Sequence, residues 1–516
     1  MNIGDYINPA KKKPWIRRVS DDSLSGPGWK LKIMKQDDFL NEVCSAAHKI
    51  NSPMMSRRPI YGPTGEKDAK GKEKWAIVGY DEIETIPVSK QWEIISKKIS
   101  HFAADGFWTA SESEDEGAFT TLMSWADTAG MKTAFIEAMW YAMRTGDSAV
   151  YWYQTDDASD PIQYEVYGYE EGSVLFPRTT FDGKKMLARK YRYDRHDAVD
   201  IFTARAIETW MMLDDNGDED IYPIEGRVKS DDGYTLVRRK DGQAGDLCQC
   251  IYFRFNDIPS GVVQPSIEKL EGAKTYVGEH LKGSAMPILF MKAEKTTSLP
   301  PSSLANKAIG VKGTADSLAH ADAKWLAPPD ASNIADLHID GLEEDIRDGA
   351  MSVKIDPDVI KQGSDSSATI KILYSPEVQW CQIHWPEIFK SVKQMMLVFK
   401  TLVGKVEGES TRYEKMRISV GQNVWIPQNA AESLKMELDQ VYARVKSRRS
   451  AMQDIENAHR GDYELIEEEW QKELTMKAEA PAKAKAKYGV EVEEPSEPKE
   501  NPANVDNNAP GKSIQN

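Results

Sequence analysis

Gly65 and Gly71-Lys72 are the nearest this sequence comes to a phosphate-binding loop. Such a loop needs four residues between its glycines, so that backbone amides close around phosphate, and a Ser or Thr after the lysine to hold magnesium. Here five residues intervene and Glu73 stands in the magnesium position, so the match is fortuitous. Gly511-Lys512-Ser513 has the lysine and hydroxyl without the first glycine. Asp214 to Asp220 is spaced like a calcium loop, but its glycine falls fourth rather than sixth, which suits an acidic hairpin turn. Neither H-E-x-x-H nor G-x-S-x-G occurs. The histidines, at 48, 101, 196, 280, 320, 338, 384 and 459, lack ligand spacing. Cys44 and Cys381 stand alone, and Cys248 and Cys250 alternate with Ile251, Phe253 and Phe255 as strand residues do. Four cysteines make no disulfide framework and point to folding in a reducing cytoplasm. The expectation is a chain with no catalytic residue, no metal and no cofactor.

The elements that would position any site belong to a chain of 516 residues, about three to four domain-sized units. No apolar run is long enough to span a membrane, and no secretory signal is expected. The net charge of −16 is the wrong sign for a protein whose main task is gripping nucleic acid. Residues 1–28, with Lys11, Lys12, Lys13, Arg17 and Arg18, read as a basic, mobile arm. Residues 29–55 read as helical, Pro59 to Gly71 as a loop, and Ile83 to Ala104 as a helix. Between 118 and 144, Phe119, Leu122, Met123 and Ala126, then Met131, Phe135, Met139 and Met143, recur at helical spacing. The pattern breaks near Gly130 and stops at Gly146-Asp147.

From about 150 to 256 the chain reads as an antiparallel meander, with runs at Val174–Phe176, Leu187–Tyr193, Ile207–Leu213 and Tyr234–Arg239. Pro265, Ile267, Leu270, Val277 and Leu281 predict a helix whose Gly272 and Gly278 imply close packing. Residues 294–332 are rich in Pro, Ser, Ala and Lys and read as a long insertion. Helices are expected at 333–348 and from Pro386 to Leu402, and a strand near Arg417–Val420. Three amphipathic helices then carry Leu434, Leu438, Val441 and Val445, a capping box at Ser450, and Tyr463, Ile466, Trp470 and Leu474. From about 479 the sequence is of low complexity.

The order of these elements resembles that of the portal proteins of tailed bacteriophages, in their siphophage-type branch. Four stretches carry the likeness over about residues 80–475. They are Tyr141 to Val150 as a helix–Gly–strand step, and Phe253 to Leu270 leading into a long helix that ends near Gly283 to Leu289. The helix at 333–348 with the Gly363 to Ser367 loop and Ala368 to Leu373 is the third, and Ile426-Pro427-Gln428-Asn429 with its following helices the fourth. Ser366-Ser367-Ala368 departs from the usual Ser-Gly step, and the stem helix lacks an acidic run common there.

The resemblance implies an α+β portal fold with a helical/β wing, a β-rich clip, a long stem helix, a tunnel loop and an α-helical crown. On this chain these are a basic N-terminal arm 1–28, wing 29–190 and 333–428, clip/stem β-rich region 191–258 and stem helix 259–293. The tunnel loop region is 294–332, the crown 429–478 and the low-complexity tail 479–516. It also implies a homo-oligomeric ring, usually of twelve subunits, at one vertex of the virion capsid. The partners are the major capsid protein, the terminase, head–tail adaptor or connector proteins and double-stranded DNA, with no membrane. The subunit is made in the host cytoplasm, and the genome is packaged and later ejected through the ring. An acidic wall would let DNA slide, because a basic one binds phosphate through counterion release. Lys295, Lys307, Lys312 and Lys324, balanced by Glu294, Asp316, Asp322 and Asp330, are the candidate DNA-channel residues of the tunnel loop. Two other readings stay open: another head–tail connector or minor capsid structural protein, and an enzyme of the packaging machinery.

Overall fold

The computed structural model describes residues 2–21, 28–44, 48–51, 57–67, 73–83, 85–111, 115–157, 159–179, 183–213, 228–284, 288–293, 308–312, 322–326, 332–353 and 372–426. All of them fall in one compact unit, Met1–Pro427. The expected crown at 429–478 and tail at 479–516 lie outside the described residues, as does the acidic turn at Asp214 to Asp220.

The first departure from the sequence reading is at the N-terminus. Strands β1 (Trp15–Asp21) and β2 (Gly28–Met34) form an antiparallel hairpin in which buried Trp15 faces buried Met34. Helix α1 (Gln36–Val43) follows. The segment is therefore not a mobile arm. Ile3 is fully buried, and the amides of Ile3 and Gly4 donate to the Asp232 carboxylate at 3.0 and 2.5 Å. Lys12 reaches the buried Asp147 at 2.7 Å. Composition suggests a basic arm because the partner that fixes Lys12 lies more than a hundred residues away. The loop expected from Pro59 to Gly71 also differs in its first part: β3 (Arg57–Lys67) pairs with β4 (Glu73–Glu82). A two-stranded ribbon tolerates the prolines because both strands are edges.

Helix α2 (Lys90–Ala103) starts after Pro87 rather than at Ile83, as the constraint on the residue before proline dictates. Strand β5 (Phe107–Ser111) precedes α3 (Glu116–Thr128) and α4 (Met131–Thr145). The break between those helices is Gly130, at φ 70°, and α4 ends at Gly146, at φ 91°. A Cβ at Gly146 would lie 2.8 Å from the Trp15 ring, so glycine serves both the turn and the contact with β1. The methionine stripe is core: Met131, Met139 and Met143 are buried with Phe135.

Beyond Gly146 the chain enters β6 (Asp147–Gln154) and β7 (Ile162–Gly168), and then the strands β8 (Val174–Thr179), β9 (Lys185–Tyr193), β10 (His196–Phe202), β11 (Ala206–Met211) and β12 (Thr235–Asp241). The last five form the expected meander, in the order β12-β11-β10-β9-β8. Strand β10 was hidden in the sequence because Asp197 and Asp200 interrupt its apolar run. In the fold, the nearly buried Asp200 accepts from Thr209 at 2.8 Å and pairs with Arg189 at 3.4 Å. The proposed wing–clip boundary at 190/191 falls inside β9 and so divides a continuous sheet. Strand β13 (Cys250–Arg254) returns to pair with β6, giving a second sheet in the order β13-β6-β7. Cys248, Cys250 and Cys381 are buried free thiols, with burial pushing Cys248 up to about 11.

Helix α5 (Gln264–Ser284) leads to β14 (Ile288–Ala293), β15 (Ala308–Lys312) and β16 (Asp322–Leu326), and then to α6 (Ser332–Gly349). Helix α7 (Ser375–Val406) is longer than expected and keeps Pro386 inside it. Its first turn is set instead by Pro376, and the stripe Ile388, Val392, Met395, Met396, Phe399 and Leu402 is buried in the core where the helix packs on β6, β13 and the strand Ile418–Gln422. Trp152 of β6 meets Phe399 edge-on at 5.1 Å between ring centres. Helix α8 (Ser410–Lys415) and β17 (Ile418–Gln422), which pairs with β5, complete the unit.

Candidate functional site

The α5/α6 helical hairpin and the contacts at its base form the candidate site. Apolar residues at Val263, Ile267 and Leu270 pack against Leu342, Ile346 and Ala350, with Ile94 of α2 beneath them. This places the i, i+3, i+4 stripe of each helix against the other. Lys274 pairs with Glu343 at 2.8 Å across the two helices. Gly278 supports the expectation of close packing, since a Cβ there would lie 3.0 Å from Ile86. Gly272 does not, for a Cβ there would meet nothing within 4 Å among the described residues.

Packing inward leaves α6 with an acidic outer face. Asp336, Asp340, Glu344, Asp345 and Asp348 are exposed, and Arg347 is the helix's one cation.

A polar network fixes the hairpin's base to the N-terminal segment. Arg17 is 6% exposed and holds two carboxylates, Glu42 and Asp257, each at 2.7 Å. This two-sided pairing compensates the desolvation of the guanidinium. Burial holds the Glu42 carboxyl above its ordinary range, although Arg17 opposes the shift. His48 meets an acceptor at each ring nitrogen: the Glu271 carboxylate at 2.6 Å from Nδ1 and the Glu42 carbonyl at 2.7 Å from Nε2. Only the imidazolium donates from both nitrogens. The bond to Glu271 is the main cause that raises its proton affinity above the ordinary histidine range. Glu271 of α5 also accepts the Val88 amide, and Thr275 accepts that of Ile86.

A second anchor holds the far end of α6. Lys98 of α2 and Glu377 of α7 are 0% and 1% exposed, and their charged atoms are 2.5 Å apart. The same ammonium donates to the Met351 carbonyl at 2.8 Å, and Glu377 accepts the Val353 amide at 3.3 Å. Burial lowers the Lys98 proton affinity against the pull of Glu377. None of these partners was legible in the sequence, since they join residues 24 to 279 positions apart.

The four candidate lysines divide. Lys312 and Lys324 lie on β15 and β16, which flank β14 in one three-stranded sheet. Lys312 is in register with Ala293 and Lys324 with Phe290, so the sheet does not bring them opposite each other. Lys295 and Lys307 lie outside the described residues. The insertion is therefore partly strand where the sequence suggested loop. The runs Ala308–Lys312 and Asp322–Leu326 are too short to stand out from the Pro, Ser, Ala and Lys around them, and both pair with β14.

Among the described residues no group of three or more His, Cys, Asp and Glu could hold a metal ion, and no helix is long and apolar enough to cross a membrane. No curated protein matches the chain. Among solved structures, a chain of the "Virion of native gene transfer agent (GTA) particle" aligns at 10% identity over 69% of this chain and 85% of its own, with a TM-score of 0.34. The family described as "Phage portal protein, SPP1 Gp6-like" matches residues 85–480, close to the 80–475 span of the sequence resemblance. That match covers most of the chain and its mixed helical and antiparallel architecture, so the chain belongs to the phage portal protein family, SPP1 Gp6-like, a family of structural proteins.

Proposed function

We propose that this chain is the portal subunit of a phage head. It assembles into a ring, usually of twelve copies, at one capsid vertex. DNA is driven in through the ring by the terminase and later leaves through it, and the tail or connector attaches there. The family match over residues 85–480 carries this reading. The acidic face of α6 supports it on physical grounds. A channel wall bearing Asp336, Asp340, Glu344, Asp345 and Asp348 repels phosphate and lets the duplex slide, whereas a basic wall would hold it by releasing counterions. Lys295, Lys307, Lys312 and Lys324 are the proposed weak phosphate contacts, and the major capsid protein and head–tail adaptors the proposed neighbours.

Electron microscopy of the purified chain is expected to find closed rings with a central hole, as head-to-tail contacts around an axis require. Neutralising the five exposed α6 carboxylates to Asn or Gln should leave the rings intact and slow DNA passage in a packaging assay. A chain that stays monomeric at high concentration would refute the reading. Intact rings with unchanged packaging would remove α6 from the channel wall.

A further inference from the structure

The lysines that lead into β1 have a use that the channel does not absorb. A cavity of about 480 Å³ opens where the meander, the β13-β6-β7 sheet and α7 meet. Lys11, Arg178 and Lys185 line it together with Tyr252, Ser391 and Gln394, and among the described residues no Asp or Glu does. In a chain of net charge −16, three cations around one cavity with no carboxylate among its described lining residues are a local inversion of sign.

Two of the three cations are held in place by neutral groups. The Arg178 guanidinium donates to the carbonyls of Asp5, Tyr6 and Asn8 at 2.9, 3.3 and 3.3 Å, which fixes it at the rim. Lys185 donates to the Gln394 amide oxygen at 2.7 Å. Burial lowers the Lys185 proton affinity, and the like charge of Lys390 adds to that effect. Lys11 forms a long, exposed ion pair with Asp5 at 3.8 Å. The other nearby acid, Asp147, is engaged by Lys12, Gln36 and Tyr252 at 2.7 Å each. Like charges brought together around a cavity repel one another, and an anion among them relieves that repulsion. The hydroxyls of Tyr252 and Ser391 already donate to Asp147 and to the Tyr252 carbonyl, so the cations dominate the cavity's character.

We propose that this cavity is an oxyanion site that takes a phosphate group, with Lys11, Arg178 and Lys185 as its ligands. The phosphate can be a free anion or part of a nucleic-acid backbone, because both present the same oxygens to the cations. The site is distinct from the α5/α6 hairpin, so it stands or falls independently of the channel reading.

Titration calorimetry of the full chain with inorganic phosphate, at constant ionic strength, tests it. Saturable binding with one site per subunit is expected, and Lys185→Gln should weaken it about tenfold, the loss of one charge-assisted contact. Lys184→Gln, whose ammonium pairs with Asp246 at 2.5 Å outside the cavity, should leave the affinity unchanged. A short DNA duplex that competes with phosphate in wild type but not in Lys185→Gln would assign the group to nucleic acid. A duplex that does not compete would assign it to the free anion. Absence of phosphate binding, or equal weakening by Lys184→Gln and Lys185→Gln, overturns the proposal. Unchanged far-ultraviolet circular dichroism of both variants guards against loss through misfolding.

Discussion

Replacing Glu377 with leucine removes one half of an ion pair that has no access to water. Lys98 and Glu377 are 0% and 1% exposed, and the ammonium would retain only the Met351 carbonyl at 2.8 Å and the Trp380 ring at 5.1 Å. Removing one partner of a buried pair costs about 3–5 kcal/mol. The Val353 amide, which donates to Glu377 at 3.3 Å, loses its acceptor for about another 1 kcal/mol. Deprotonation of Lys98, already favoured by burial, takes back part of this, so about 3 kcal/mol is the expected net loss. The double variant Lys98→Met/Glu377→Leu should recover most of it, because a well-packed apolar pair of similar volume replaces buried charge at little loss. A chain of 516 residues does not unfold as one two-state unit, so the readout is local. Hydrogen exchange at residues 351–353 and 377–381 should quicken in the single variant and return in the double. Urea titration followed by tryptophan fluorescence should rank the three proteins in the same order. A single variant within about 1 kcal/mol of wild type, or a double no better than the single, would refute the claim that this pair anchors α6 to α7.

His48 gives a pH-dependent test. Its folded proton affinity is raised, so the stability it contributes is fully present below the ordinary histidine pKa of about 6.5 and fades as pH rises through the higher folded value. The gap in melting temperature between wild type and His48→Gln should therefore shrink from mildly acid to alkaline pH, and a gap independent of pH would contradict the imidazolium assignment. Arg17→Met should cost about 3 kcal/mol by leaving Glu42 and Asp257 facing each other, measured by urea unfolding against wild type. Gly146→Ala should lose about 1–2 kcal/mol to its left-handed backbone alone and more from the Cβ placed 2.8 Å from Trp15; an unchanged melting temperature would count against the Trp15 contact.

The sequence alone determined those parts of the molecule where neighbouring residues set the outcome. The stripes of α3 and α4 and the left-handed stops at Gly130 and Gly146 follow from residue types within a few positions of one another. The order of these elements was enough to reach the portal family, because order survives where individual motifs do not. Tertiary structure alone decided where the charges go. Lys12 and Arg17 look like parts of a solvated arm until Asp147, Glu42 and Asp257 are brought to them. Asp200 breaks the pattern of β10 until Arg189 and Thr209 satisfy it. The strands β15 and β16 are only five residues long each, too short for their few apolar side chains to announce them, and both pair with β14. A buried charge is stable only beside a partner, and that partner is chosen by proximity in space, which local residue spacing does not encode.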